Sequence, residues 1–146
     1  MKRPPERLRM LAQWKVGKIA TLGARFTAQR LPLTGRSDYA VLSALAEYGD
    51  LSQADLGRHL VLDRNDVNAI LNRLQDAVFI DRHPTPSDRR IKLVAITDAG
   101  TSHFAELQML ANDVQNELLK ALDDNERQQL HVLLDKVLGI HGPPPS

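Results

Sequence analysis

Residues 51–100 read LSQADLGRHLVLDRNDVNAILNRLQDAVFIDRHPTPSDRRIKLVAITDAG, and this stretch decides the fold. It contains two helix starts of the same kind. Ser52 is a good N-cap with Asp55 three residues later, and Asp63 is followed by Asp66 at the same spacing. The stretch therefore predicts two consecutive short helices, the first beginning after Ser52 and the second after Asp63.

The second of these helices has an apolar face and a polar face. Its apolar residues recur at helical spacing and predict a buried side: Val67, Ile70, Leu71 and Leu74. The opposite side carries Arg64, Asn65, Asn68, Asn72 and Arg73. Arginine pairs with guanine, asparagine pairs with adenine, and both bind phosphate oxygens, so this face suits double-stranded DNA. The two helices, with a turn at Val61-Leu62, predict a helix-turn-helix whose second helix reads DNA.

Three polar residues at the helix ends are candidates for phosphate contacts, and two of them have a second interpretation. Ser52 and Gln53 stand at a helix N-terminus, where they could hold a phosphate, and capping alone explains Ser52 equally well. Arg73 lies near the end of the second helix, where it could contact a phosphate or form an intramolecular salt bridge.

A β-hairpin follows the two helices. Residues 79–82 and 91–96 are strand-like, and the loop 83–90 between them contains two prolines, which exclude a helix. The tip of this loop carries Asp88, Arg89 and Arg90. The two arginines have no core to join, and the negative potential of a narrow minor groove attracts inserted arginine. The aspartate can hold a guanidinium in one orientation through a bidentate pair. The predicted fold class is mainly α with a small β-hairpin wing, a winged helix-turn-helix.

At five places this region resembles the multiple-antibiotic-resistance repressor (MarR) family. The motifs are Leu51-Ser52-Gln53-Ala54-Asp55-Leu56, Leu62-Asp63-Arg64, Arg73-Leu74, Asp88-Arg89-Arg90 and Ile96-Thr97-Asp98-Ala99-Gly100. The resemblance implies a homodimeric transcription factor, often a repressor relieved by a small phenolic or anionic effector. It also implies that Arg90 enters the minor groove, that Asp88 supports it, and that residues 64–68 open the recognition helix in the major groove. The family usually has glycine where Val78 stands, so either the helix ends differently here or Val78 carries strain.

The two ends of the chain predict long helices with broad apolar faces. Helices are expected from Pro4-Pro5 to about Gln29, from about Arg36 to Tyr48, from Thr97 to about Ala121, and from Asp123 to Gly139. The terminal helices offer more apolar surface than one small core requires, so we expect them to pack against a second subunit. The expected organisation is dimerisation helices at 1–34 and 98–141, a winged helix-turn-helix DNA-binding domain at 35–97, and a flexible tail at 142–146. Such a two-fold dimer would bind an inverted repeat of about 16–20 base pairs.

The formal net charge is +1, but the charges are unevenly placed. Residues 1–36 hold nine bases and one acid, residues 51–100 hold seven of each, and residues 101–146 hold three bases and seven acids. DNA binding would therefore depend on where the bases point rather than on net charge. The neutral balance of residues 51–100, together with Val78, supports an alternative. It is a winged-helix protein-interaction or dimerisation module without specific DNA binding.

The basic N-terminus has three interpretations that the residues leave open. It could touch DNA phosphates, pack against the acidic C-terminal helices of a partner subunit, or imitate a mitochondrial presequence. No apolar run reaches the ~20 residues of a membrane span, because Lys15 and Lys18 interrupt the one candidate. We therefore expect no membrane partner and a cytoplasmic location.

Other chemistries have little support in the sequence. The absence of cysteine excludes disulfides, thiolate metal sites and thiol-based redox sensing. The five histidines show no metal-ligand spacing, and no nucleophile elbow or phosphate loop is present. We therefore expect no metal, no cofactor and no enzyme activity. Trp14 is a weak candidate for lining an effector pocket, and packing at a subunit interface explains it as well.

Overall fold

The computed structural model describes residues 2–60 and 64–139, which are mainly helical with one small sheet. In chain order the elements are α1 (Glu6–Arg9), α2 (Ala12–Arg30), α3 (Gly35–Tyr48), β1 (Leu51–Ser52), α4 (Gln53–Leu60), α5 (Arg64–Asp76), β2 (Ile80–Pro84), β3 (Lys92–Ile96), α6 (Asp98–Leu118) and α7 (Asp124–Leu138). Two compact units are formed, one by residues up to Phe26 with those from Asp113, the other by Thr27–Asn112. The predicted mainly α fold with a β-hairpin wing is confirmed.

The core of the Thr27–Asn112 unit lies between its helices and the sheet. From α5 it takes the predicted apolar face: Val67, Ile70, Leu71 and Leu74, all buried. The other members include Val41, Leu42 and Leu45 of α3, Leu56 of α4, Ile80 of β2, Val94 of β3 and Leu107 of α6. Because one face of α5 is held in this core, its opposite face is turned toward solvent in a fixed orientation.

The sheet has the strand order β1-β3-β2, and both neighbouring pairs are antiparallel. Strands β2 and β3 form the predicted hairpin. The sequence pattern does not predict β1, which pairs Leu51 with Val94 and Ser52 with Leu93. Two residues are too few to show an alternating pattern, so only the pairing with β3 defines this strand.

The end of the hairpin enters α6 through a tightly bonded joint. Thr97 is the predicted cap, and its Oγ1 accepts a hydrogen bond from the Gly100 N–H at 3.0 Å. The same hydroxyl donates to the Val78 carbonyl at 2.7 Å, and the Thr97 N–H donates to the Phe79 carbonyl at 3.1 Å. The cap is confirmed, and it also ties the two ends of the hairpin to each other.

Val78, where the resembled family has glycine, adopts a left-handed backbone conformation. Its φ is +66°, and no other non-glycine residue within 2–60 and 64–139 has a positive φ. The helix α5 ends at Asp76, so Val78 forms the turn into β2. Of the two sequence hypotheses the second is correct, because a β-branched residue in this region carries steric strain.

Replacing Val78 with glycine should therefore stabilise the protein. The side chain is 63% exposed, so little apolar burial is lost, whereas the left-handed strain is relieved. We expect an increase of roughly 0.5–1 kcal/mol in the free energy of unfolding, after the entropic cost of glycine is subtracted. Urea unfolding with an unchanged m-value would measure it. The control is Ala77→Gly, at the neighbouring position, where φ is not positive, and it should lower the free energy of unfolding. An equal decrease in both variants would contradict backbone strain at Val78.

The unit formed by the chain ends exposes much of its apolar surface. No residue of α1, α2 or α7 is buried, and Val114 is the buried apolar residue of the α6 segment in this unit. The exposed apolar side chains of the three helices are Leu8, Val16, Ile19, Leu22, Val132, Leu133, Leu134, Val137 and Leu138. Met10 and Leu11, between α1 and α2, are exposed as well. In this respect the helices present the broad apolar faces that their spacing predicts.

Two features of the terminal helices follow or depart from expectation. The predicted capping box of α7 is confirmed, since the Asp123 side chain accepts from the Glu126 N–H and the Glu126 side chain accepts from the Asp123 N–H. The single N-terminal helix predicted from Pro4-Pro5 is wrong, because Met10 ends α1 before α2 begins. The residues at this break include neither proline nor glycine. None of the helices in the described ranges is long and apolar enough to span a membrane.

Candidate nucleic-acid interface

Helix α4 begins with the predicted cap. The Asp55 N–H donates to Ser52 Oγ at 3.1 Å. Hydrogen bonding from Ser52 holds the pKa of the Asp55 carboxyl below its ordinary value, and the charge of Arg58 acts in the same direction. Of the two interpretations of Ser52, capping is present in the structure. A phosphate contact by Ser52 or Gln53 stays a prediction.

Helix α5 shows a polar surface beside this cap. Asn65 and Asn68 are exposed, whereas Val67 between them is buried in the core. The Gln53 side-chain amide on α4 lies 3.5 Å from Asn68 Oδ1, so the two helices present their amides side by side. Their DNA contacts stay predictions. The turn Val61-Leu62, the cap Asp63 and the side chain of Arg64 lie outside the part of the chain that the structure describes.

The tip of the wing contains the predicted bidentate pair. The Arg90 Nε donates to Asp88 Oδ1 at 3.3 Å, and Nη2 donates to Oδ2 at 3.4 Å. The Arg90 backbone N–H also donates to Asp88 Oδ1 at 3.0 Å. These bonds lower the pKa of the Asp88 carboxyl below its ordinary value, and the backbone bond contributes most. The Arg90 side chain is 91% exposed and is thus oriented without being buried.

The loop that carries the pair is bonded to itself. Thr85 Oγ1 accepts from the Asp88 N–H at 2.9 Å and donates to the Asp88 carbonyl at 2.6 Å. The Thr85 N–H donates to the Ile91 carbonyl at 2.8 Å. Arg89 is exposed at the same tip. The loop therefore gives Asp88 a fixed backbone from which to orient its neighbour.

A cleft of about 670 Å³ joins the wing to the start of α4. Its lining includes three residues predicted from the sequence: Ser52, Gln53 and Arg90. It also includes Arg58 and Lys92, which the sequence reasoning did not single out. The helix N-terminus and three cationic side chains make this cleft attractive to phosphate oxygens. In the sequence, Lys92 could have been identified by its position beside the wing arginines. Arg58 could have been identified by its position one turn after Asp55.

Arg73 is paired within the protein. Its guanidinium Nη2 donates to Asp38 Oδ1 and lies 3.4 Å from Ser37 Oγ, which connects α5 with α3. Asp38 is 6% exposed, and Thr34 Oγ1 donates to its second oxygen at 3.2 Å. The intramolecular salt bridge, one of the two sequence interpretations, is present. The contact of Arg73 with DNA stays a prediction.

Arg73→Met should lower the free energy of unfolding because it leaves the Asp38 carboxylate buried without its cation. Removing one partner of a fully buried pair costs about 3–5 kcal/mol, and the partial exposure of the Arg73 side chain, 38%, reduces the expected loss here to about 2 kcal/mol. Urea unfolding measures it. The double variant Arg73→Met/Asp38→Asn should recover part of the loss, and simple additivity would contradict the pair. A salt slope of DNA binding lowered by about one would instead show a phosphate contact.

Trp14, the weak effector candidate, lies in α2. It is half-buried, and the Lys18 ammonium is 5.5 Å from the centroid of its ring, within the range of a cation–π contact. This neighbour explains part of its environment and identifies no ligand, so its effector role stays a prediction.

Comparison with known proteins agrees with this geometry. A model of the MarR family matches residues 31–91. The transcriptional repressor IacR of Pseudomonas putida is 24% identical over 124 residues, which cover 82% of this chain and 74% of that protein. The solved structure of a probable transcriptional regulator from Pseudomonas aeruginosa is 25% identical with a TM-score of 0.76, covering 89% of this chain and 98% of that one. A mutant MarR from Escherichia coli complexed with operator DNA is 26% identical with a TM-score of 0.65, covering 85% and 87%.

Proposed function

We infer that this chain is a winged helix-turn-helix transcriptional regulator of the MarR type, which represses transcription by binding a specific operator as a homodimer. The observation that carries operator binding is the cleft between wing and α4, where Arg90, Arg58 and Lys92 meet the N-terminus of a helix. The alternative of an interaction module is weakened by it. The neutral balance of residues 51–100 does not prevent a local concentration of bases.

We expect some of these residues to contact bases and the others to contact phosphates. Asn65 and Asn68, with Arg64 at the start of α5, would meet base edges in the major groove, where asparagine pairs with adenine and arginine with guanine. The oriented Arg90 would enter the neighbouring minor groove. The remaining polar residues would contact phosphates and set the register: Ser52, Gln53, Arg58, Arg89 and Lys92.

The apolar surface of the terminal helices supports the homodimer. Large exposed apolar faces mark interaction sites, and those of α1, α2 and α7 are uncovered in a single chain. Their charges are complementary between subunits, since residues 1–36 are strongly basic and residues 101–146 acidic. We propose that they pack together across a two-fold axis. Two recognition helices about one DNA turn apart would then bind an inverted repeat of about 16–20 base pairs.

Release from DNA by a small phenolic or anionic effector is the regulatory part of the proposal, and it rests on the family resemblance. An effector that binds more tightly to a dimer whose recognition helices no longer match the operator spacing would shift the population off DNA. Lys18 lies beside the Trp14 ring, and the two side chains together suit an anionic or aromatic ligand. The fluorescence of Trp14 is therefore the first signal to measure when effectors are added.

The test is fluorescence anisotropy of the full chain on duplex DNA from its own upstream region and on scrambled DNA, at about 50 and about 200 mM salt. A clear preference for an inverted repeat, with a dimeric mass by sedimentation, is expected. Equal binding to both DNAs that vanishes at the higher salt would support the interaction module instead. A monomeric mass would refute the dimer and leave the DNA result to stand by itself.

A further inference from the structure

We propose that Arg82 is a positioning residue that holds the wing in one orientation relative to the recognition helix and thereby supports specific operator binding. The inference rests on the proposed function for its consequence. Arg82 lies on β2, yet its guanidinium bonds to the side chains of two residues on α5. Its Nε donates to Gln75 Oε1 at 2.6 Å, and its Nη2 donates to Asn72 Oδ1.

Arg82 reaches α5 because of the strand alternation. Side chains two residues apart lie on the same face of a strand, so Arg82 shares the face of Ile80, which is fully buried in the core beside α5. The guanidinium therefore extends from the edge of the core over the last two turns of the recognition helix. Both acceptors are amide oxygens one turn apart, a spacing that places them on one side of a helix.

The two hydrogen bonds from Arg82 to α5, called the brace below, add to the covalent link between α5 and the hairpin. That link is only three residues long, from Ala77 to Phe79, and its carbonyls are held by Thr97. The root of the hairpin is also fixed by the pairing of β3 with β1 and by Ile80 and Val94 in the core. Arg82 adds a side-chain attachment from β2 directly to the recognition helix, which limits tilting of the hairpin relative to α5.

This arrangement affects DNA binding through distance. Asn65 and Asn68 on the recognition helix and Arg90 at the tip of the wing must reach adjacent grooves at the same time. A hairpin able to tilt relative to α5 would misplace Arg90 while leaving its charge near the DNA. The bonds also engage Asn72, part of the polar face predicted from the sequence, so base reading falls to the first half of α5.

Binding measurements separate a brace from a direct contact. Arg82→Met keeps the apolar stem and removes the guanidinium, and Lys120→Met removes one positive charge from the other unit as a control. We expect Arg82→Met to lower affinity for the operator about tenfold, since hydrogen bonds to a charged group are lost, while scrambled-DNA affinity and the salt slope stay unchanged. Asn72→Ala should lower operator affinity as well, and the double variant should lose less than the two losses multiplied together.

Equal loss on both DNAs, with a salt slope lowered by about one, would show that Arg82 contacts a phosphate and would overturn the proposal. Unchanged or tighter operator binding would also overturn it.

If the wild type shows no operator preference, that result refutes the proposed function but does not test the position of the wing. A measurement without DNA tests it directly. The chain has no cysteine, so Ala69→Cys on α5 and Ser87→Cys on the wing give unique exposed sites for spin labels. Pulsed electron paramagnetic resonance, with labelled protein diluted in unlabelled protein, reports the distance distribution between them. Arg82→Met should broaden it and Lys120→Met should not. An unchanged distribution would refute the brace whatever the DNA result.

Discussion

Gly100→Ala is expected to destabilise the protein by about 3 kcal/mol or more, the upper range for overpacking a rigid site. A Cβ on Gly100 would overlap the carbonyl oxygen of Phe79 and lie 2.9 Å from Ile96 Cγ1. The oxygen cannot retreat easily, because it accepts the Thr97 N–H at the joint between hairpin and α6. Relief of the overlap would have to displace backbone on one side of the joint. Urea unfolding followed by circular dichroism would measure the loss.

The matched control is Gly17→Ala in α2. A Cβ there meets nothing within 4 Å, and the residue lies inside a helix. Alanine is the better helix former, so this variant should be more stable by roughly 0.5–1 kcal/mol. The same substitution is thus expected to act in opposite directions at the two positions. Similar stability of Gly100→Ala and the wild type would mean that the joint is softer than its packing indicates.

Arg90→Ala is expected to weaken operator binding by about 1–3 kcal/mol per wing, and a homodimer loses two wings at once. The side chain is almost fully exposed and makes its side-chain hydrogen bonds to Asp88 alone among the described residues, so folding stability should change little. Anisotropy on operator and scrambled DNA measures the loss. Asp88→Asn keeps the arginine but removes the charge that orients it, so a smaller loss of the same kind is expected.

The neighbouring Arg89 provides the charge-matched comparison. It is exposed at the same tip, but the Asp88 carboxylate bonds to Arg90. Arg89→Ala should weaken binding to all sequences alike and lower the salt slope, as loss of a phosphate contact does. If Arg89→Ala and Arg90→Ala lose the same affinity on every DNA, the wing makes only nonspecific contacts. If neither changes binding, the interaction-module alternative gains support.

The parts of the fold that the sequence predicts are those determined by near neighbours. The helical spacing of Val67, Ile70, Leu71 and Leu74 identifies the buried face of α5 because a helix repeats every few residues. The caps at Thr97 and Asp123 are recognisable because donor and acceptor are three residues apart. The bidentate pair at Asp88 and Arg90 belongs to the same class, since its members are only two positions apart.

The parts that the sequence does not predict depend on residues far apart in the chain. Asp38 and Arg73 are 35 residues apart, and only the packing of α3 on α5 brings them together. Arg82 reads as an ordinary strand residue until the fold places it over α5. Strand β1 exists only because β3 lies beside it. In each case the partner is selected by the folded topology, which no local pattern contains.

The closed base of the hairpin has a consequence for how wings of different reach could arise. Because Ile80 pairs with Ile96 and Thr97 bonds to both Val78 and Phe79, the root of the hairpin is anchored independently of its tip. Residues added in matched pairs near Ser87 would lengthen the wing and leave the root in register. A single added residue in one strand would turn every later side chain of that strand to the opposite face. Insertions of even length at the tip are therefore the tolerated route by which such a protein could change its DNA footprint while its reading helix stays as it is.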